Sequence, residues 1–424
     1  MTIVKVAFRS GVAARELRAR MQGEVILPED GAYDRVRKIW NGAVEYRPEI
    51  FAVCESVGDV QAAVQVARRH GMQLSVRGGG HDWAGRCLCS GLVIDLSRMR
   101  GVAVNARAQT ATIWGGATAH DAAAAAGEHG LALVTGTCGT VGMTGLTLGG
   151  GYGPLTGRYG LALDNLLRVE IVLFDGRLVT ADATQNSDLF WAVRGGGGNF
   201  GVVTSMRVRL HPARGLLSGL IAFPWSEAEK VLRGYAVAAA SAPDELTTLA
   251  GILPLPDGTP SVFLAPVWAG DQAEGGPVMS GLQRLGSPLM VDIAPTTLPD
   301  ILKRFDAHVV NGRNYAIQTR WLPRLTRDSI RALIAGGSTR TSPYSALVLH
   351  HLHGAATRIP VESTAFGLRR EHYLVEIISA WDGDGDTDAA GDCHRQWARS
   401  VSDWLAPTAL PGGYPNLLGP DDHA

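Results

Sequence analysis

The chain has 424 residues, 46% of them hydrophobic and 19% charged, which is too long for one hydrophobic core and typical of an ordinary globular protein. Its 39 Lys and Arg nearly cancel 40 Asp and Glu, so no extended surface for nucleic acid or an anionic membrane is expected. No apolar run reaches the roughly 18 residues that span a bilayer, no cleavable leader pattern opens the chain, and the five cysteines form no paired framework, so a cytoplasmic protein without disulfides is expected.

After a polar opening, a short strand is expected at 50–53. The stripe Val60, Ala63, Val64 and Ala67 predicts a helix over 59–70 with Gly71 as its stop. Residues 73–77 read as a strand that runs straight into Gly78, Gly79, Gly80 and His81. Further strands are expected at 92–96 and 110–114, then an alanine-rich helix over 120–129 stopped at Gly130. The stretch 136–154 follows, with eight glycines in nineteen residues and Cys138 among them. Each glycine adds backbone entropy that folding must remove, so this run is expected to be neither ordinary helix nor strand but a backbone cradle that presents N–H groups to something bulky.

Asp175-Gly176 predicts a hairpin between 169–174 and 177–181. Ser187 as N-cap predicts a short helix over 187–193, followed by a glycine run at 195–201 and an alternating strand at 202–210. From about 213 the glycine clusters give way to prolines. Helices over 227–240 and 300–309, with strands at 261–267, 346–353 and 373–379, predict an antiparallel sheet with helices on one side. A solvated loop at 382–388, a helix over 393–404 and an irregular polar tail at 411–424 complete the chain.

Several motifs are excluded by context. Gly196, Gly198 and Gly201 spell GxGxxG, but after a helix and before a strand, the reverse of the order a nicotinamide site needs. Close approach to a cofactor and a purely structural turn both stay open there. Neither GxxxxGK[ST] nor GxSxG occurs. No metal is expected. Cys87, Cys89 and His81 lack a second ligand pair, and the 382–393 loop has Thr387 and Cys393 where a calcium loop needs Gly and Glu. Strand alternation puts His351 and His353 on one face and His350 on the other, and these read as polar wall residues.

Taken together, VRGGGH (76–81), GLVIDLS (91–97), GTC (136–138), GLTLGGGYG (145–153), YGLALDN (159–165), the glycine run 195–201 and YPN (414–416) resemble the berberine-bridge-enzyme-like flavoproteins of the vanillyl-alcohol-oxidase superfamily. Gly354-Ala-Ala and Ser363-Thr-Ala-Phe resemble the second domain of the same family, so the likeness covers nearly the whole chain. It implies an α+β fold. A two-subdomain, PCMH-type FAD-binding domain would comprise 1–212 and 395–424, and an inserted α+β substrate domain, an antiparallel sheet covered by helices, would comprise 213–394.

The resemblance further implies FAD bonded through His81 and Cys138. Gly139 stands where many members carry proline and Asp82 where serine often follows the histidine; neither change removes a bonding atom. Cofactor contacts are implied for Arg77, Gly78, Gly79, Gly80, Asp82, Gly136, Thr137, Gly142, Thr144, Gly145, Leu148, Gly149, Gly150, Tyr152, Gly201, Val202, Val203, Tyr414 and Asn416. Tyr414 and Tyr152 are the candidate catalytic bases, a role that needs surroundings favouring phenolate because free tyrosine titrates near 10. Small Gly136, two residues before the cysteine, implies room for O2 and hence an oxidase that releases H2O2.

Tyr315, Trp321, His351, His353, Tyr373 and Trp381 are the residue types expected to line a chamber for a small-molecule alcohol or amine, of natural-product or sugar type. A dehydrogenase or oxidative cyclase of the same fold, or a flavin-bearing protein that sequesters a metabolite, are the alternatives. No nucleic-acid or membrane partner is implied, and the chain is expected as monomer or homodimer.

Overall fold

In this computed structural model, which describes residues 2–213, 215–383 and 389–419, the chain opens on helix α1 (Thr2–Arg20) where a polar opening was expected. Strands β1 (Glu24–Ile26) and β2 (Ile50–Val53) follow, then helix α2 (Val57–Arg69). Ser56 caps α2 in a reciprocal capping box with Asp59. The Asp59 carboxylate also accepts from the N–H groups of Gln22 and Gly23, which fixes the end of α1 against α2. Strands β3 (Leu74–Arg77) and β4 (Leu92–Asp95) pair in parallel, and β4 pairs in parallel with β2, so the 78–91 crossover carrying His81 leaves from one end of a buried sheet.

A second sheet of five antiparallel strands runs in the order 102–105, 110–114, 202–209, 166–172 and 178–182. The Asp175-Gly176 hairpin is present. The short helix at Ser187–Ala192 is preceded by Asn186 in the left-handed region (φ 49°), so Asn186, not Ser187, occupies the cap position. Helix α3 (Ala119–Gly127) is held by a Thr118–Asp121 capping box. The glycine stretch departs from expectation, because residues Met143–Gly149 within it form helix α4.

The remainder builds a nine-stranded antiparallel sheet among the described residues. Its central run is 260–268, 246–254, β5 (Ala346–Leu352), β6 (His372–Trp381) and 314–322. One face packs Ile252, Leu347, Leu349, Val375 and Ile377 against Val231, Leu232 and Leu333 of the covering helices, as the alternation predicts. The other face turns toward the glycine-rich half. The mapped class, an α+β fold with an FAD-binding part and a helix-covered mixed architecture, matches the expectation.

The final helix, Ala389–Leu405, lies on the large sheet, with Trp397, Ala398, Val401 and Leu405 in its core. Arg86 then binds the carbonyls of Pro415 and Asn416, each at 2.9 Å. The expected 382–388 loop lies mostly outside the described residues. No described helix is long and apolar enough to cross a membrane.

Candidate active site

Three glycine segments press backbone on backbone. A Cβ on Gly79 would lie 2.4 Å from the amide nitrogen of Gly142, and one on Gly153 would lie 1.9 Å from the carbonyl oxygen of Thr135. Similar atoms on Gly149 and Gly150 would strike Asn416 at 2.1 Å and Tyr414 at 2.7 Å. Glycine at these positions is what lets the 78–81, 136–142 and 149–153 segments and the 414–416 tail meet. Gly195, at φ 125°, abuts the Phe366 backbone, and the N–H groups of Gly195 and Gly197 donate to the Leu148 carbonyl. The 195–201 run thus closes the end of α4, and Val202 and Val203 beside it are buried in the two sheet cores.

His81 and Cys138 meet at this junction, with Nε2 and Sγ 3.8 Å apart. The His81 ring stacks on Trp40 at 4.3 Å, and Trp40 stacks in turn on Tyr315 at 3.9 Å. Burial lowers the His81 pKa to about 4, so its ring is neutral near pH 7. Burial raises the Cys138 thiol, with Thr140 Oγ1 at 3.1 Å acting against it.

The expected cofactor residues divide in two. Arg77 directs its guanidinium to Asp95 and the Val36 carbonyl, and Asp82 accepts from Arg86 at 2.8 Å; both side chains serve the scaffold. Asn416 donates to the Leu146 carbonyl and to Tyr414 Oη, each at 2.9 Å. By contrast, the amide N–H groups of Gly78, Gly79, Gly80 and Gly142 donate to no other group among the described residues, and the buried hydroxyls of Thr144 and Thr147 have no partner. Unused donors along a glycine-lined cradle fit a large ligand rich in acceptors, as FAD is.

Tyr152 is the hub of the second cluster. Its ring makes edge contacts with His350, Phe366, His372 and Tyr414, the last at 4.9 Å. Tyr152 Oη lies 2.8 Å from His372 Nε2, and His372 Nδ1 lies 2.7 Å from the Arg370 carbonyl. A carbonyl only accepts, so Nδ1 carries the hydrogen, Nε2 is the lone pair, and the Tyr152 phenol donates to it. Tyr414 is placed differently. Its oxygen accepts from the Gly151 N–H at 2.8 Å and from Asn416. Burial still pushes Tyr414 up to about 12 and Tyr152 well above its ordinary value.

Sheet register decides which substrate candidates reach this cluster. His350 pairs across to Leu374 on the face toward Tyr152, and its Nε2 lies 3.0 Å from Glu376. His351 lies on the opposite face, stacked between His353 at 4.5 Å and Tyr373 at 4.6 Å. The alternation expected for the three histidines therefore holds, but the face toward Tyr152 belongs to His350. Trp381 stacks on His394 of the last helix, away from Tyr152. Tyr315 faces Trp40, its hydroxyl held by Val310. Trp321 does reach the cluster, 5.8 Å from His372. His350 was read in the sequence only as a polar wall residue, and His372 and Glu376 went unrecognised, because period-2 alternation identifies two faces but not which one is covered by helices.

A cavity partly open to solvent adjoins Tyr152, lined also by Thr137, Pro154, Thr247, Leu249, His350, His351, Arg304 and Phe305.

Residues 48–182 match the family model described as an FAD binding domain. The chain is 32% identical over 355 residues to the FAD-linked oxidoreductase aurO of Gibberella zeae, covering 81% of this chain and 69% of that one. It is 41% identical over 211 residues to (R)-6-hydroxynicotine oxidase of Paenarthrobacter nicotinovorans, where the match spans 49% of this chain and less than half, 46%, of the relative. The crystal structure of 6-hydroxy-D-nicotine oxidase from Arthrobacter nicotinovorans superposes with a TM-score of 0.83 at 29% identity, covering 94% of this chain and 89% of that one. The chain belongs to the berberine-bridge-enzyme-like, PCMH-type family of FAD-linked oxidoreductases. It is an enzyme of that class, and the unused donors of the glycine cradle agree with its cofactor.

Proposed function

We propose that the protein is a flavin-dependent oxidase of a small organic alcohol or amine, with O2 as the electron acceptor. The observation that carries this reading is the Tyr152 phenol, which lines a cavity and already has a proton acceptor in His372. Bound FAD supplies the hydride acceptor and its reoxidation by O2 to H2O2.

His81 and Cys138 would hold the cofactor covalently. Their 3.8 Å separation would let both reach one bound group, and the neutral His81 imidazole keeps the lone pair such a bond would require. Tyr152 takes the substrate proton as the C–H bond breaks. Its own hydrogen passes along the existing contact to His372 Nε2, so no isolated phenolate has to persist in a buried site. Arg369 favours the charged phenol from nearby against the cost of burial. Tyr414, fixed by Gly151 and Asn416, orients the Tyr152 ring across their 4.9 Å edge contact.

Gly136 leaves the approach of O2 open; a side chain there would press on Leu146 Cδ1 at 3.1 Å. The test is anaerobic mixing with candidate alcohols and amines, followed by admission of air. Bleaching of the flavin band and then peroxide release supports an oxidase. Bleaching without peroxide identifies a dehydrogenase, and a spectral shift alone identifies a binding protein.

A further inference from the structure

The cavity beside Tyr152 has a second polar region that the chemistry above does not use. Arg304, just beyond the helix Leu298–Lys303, contributes to its wall. Its Nε and Nη1 are buried and make no hydrogen bond among the described residues. The nearest counter-charge is Asp292, whose Oδ1 lies 3.5 Å from Nη1 and whose side chain is 57% exposed. Asp292 is therefore a solvated partner that meets the guanidinium from outside. Ser218 lines the same cavity, and its buried hydroxyl also lacks a partner. Leu249, Ala265, Val267, Ile301 and Phe305 form the apolar part of the lining.

Guanidinium stays charged in proteins, so a buried arginine with unused N–H groups is costly unless an acceptor arrives. Thr247, Thr248 and His350 also line the cavity, but none accepts from Arg304 Nε or Nη1. A neutral acceptor would satisfy a donor but leave only the solvated Asp292 against the charge; an anion satisfies the donor and adds a counter-charge inside the cavity, through the shorter charge-assisted hydrogen bond. With Asp292 largely solvated, Arg304 brings one positive charge to the cavity, which a carboxylate balances and a phosphate dianion exceeds.

We propose that the cavity takes a substrate bearing a carboxylate, held by Arg304 and the Ser218 hydroxyl while its reacting carbon lies at Tyr152. This rests on the oxidase reading for the Tyr152 end alone; the carboxylate site stands on Arg304 and Ser218.

The test titrates the purified holoprotein with phenylacetate and, separately, with its neutral isostere phenylacetamide, followed by calorimetry and by the flavin spectrum. Phenylacetate is expected to bind about tenfold or more tightly than the amide, the scale of a hydrogen bond to a charged group. Arg304→Gln removes that preference, and Arg304→Lys, which keeps the charge, retains part of it. Equal binding of the two probes, binding of neither, or a preference that survives in Arg304→Gln overturns the proposal. Calorimetry reads the carboxylate site whether or not flavin is reduced, so the carboxylate proposal and the oxidase reading fail on different measurements.

Discussion

Arg369 grips Asp164 through contacts of 2.9 and 2.8 Å, and both side chains are only 5% exposed. The pair ties the 161–165 turn, where Asp164 accepts the Leu161 N–H, to the segment that leads into β6 and His372. Asp164→Ala would leave a buried guanidinium with Thr364 Oγ1 at 2.7 Å and the Ala356 carbonyl as its remaining partners. Breaking such a pair costs about 3–5 kcal/mol. Chemical denaturation of Asp164→Ala should show a loss of that size, and a loss below about 1 kcal/mol would place the pair among weak surface contacts.

The Tyr152–His372 contact predicts a kinetic signature. Tyr152→Phe should slow anaerobic flavin reduction by about 10²–10⁴-fold, the usual range for a positioned acid–base group. His372→Gln should slow it less and change its pH profile. Burial lowers His372 to about 4, so the imidazole accepts a proton at neutral pH and loses that capacity as pH falls through about 4. The wild-type rate should show this acid limb and the variant should lack it. An identical profile in both proteins removes His372 from the proton path.

Stability should fall in mild acid. His211 and His372 are lowered to about 4 and His351 to about 3, each chiefly by burial, against an ordinary 6.5. Between those values and 6.5 the unfolded chain binds more protons than the native one, so stability rises with pH through this window. It is fully present above about 6.5 and is lost as pH drops toward 4, by roughly 2–3 kcal/mol per group at most. Thermal unfolding at pH 7.5 and pH 5 should show the lower midpoint at pH 5; equal midpoints would contradict neutral burial of these rings.

Covalent attachment has a direct readout. Acid-precipitated, washed protein should remain yellow. His81→Ala and Cys138→Ala should each keep the colour through the remaining bond, and the double variant should release free FAD to the supernatant. Release of FAD from the unmodified protein would eliminate both bonds while leaving the fold assignment untouched.

Gly136→Val tests the oxygen path. Leu146 would have to yield to the added side chain, since even a Cβ there comes within 3.1 Å of it. Peroxide formation should fall at least about tenfold, equivalent to about 1.4 kcal/mol, while turnover with an artificial dye persists. Equal loss with O2 and dye would point instead to a damaged site.

Local physics made much of this protein legible in its sequence. The short apolar runs at 50–53, 74–77, 92–95 and 110–114, the alternating strand at 202–209 and the capped helix Val57–Arg69 follow from local pattern and caps within a few residues. The clustering of glycine around His81 and Cys138 was equally visible, because close backbone approach demands glycine wherever it occurs in the chain. Tertiary structure decided the rest. Helix α4 forms inside the glycine run because neighbouring segments pack on it, which intrinsic propensity opposes. Strand alternation separated His350 from His351, but only the helices covering one face of the sheet set His350 against Tyr152 and His351 against Tyr373. Arg304, His372 and Tyr152 are far apart in sequence, and nothing local signals that a cavity or a 2.8 Å contact will join them. Period and propensity act over a few residues, whereas a proton path depends on where whole elements come to rest.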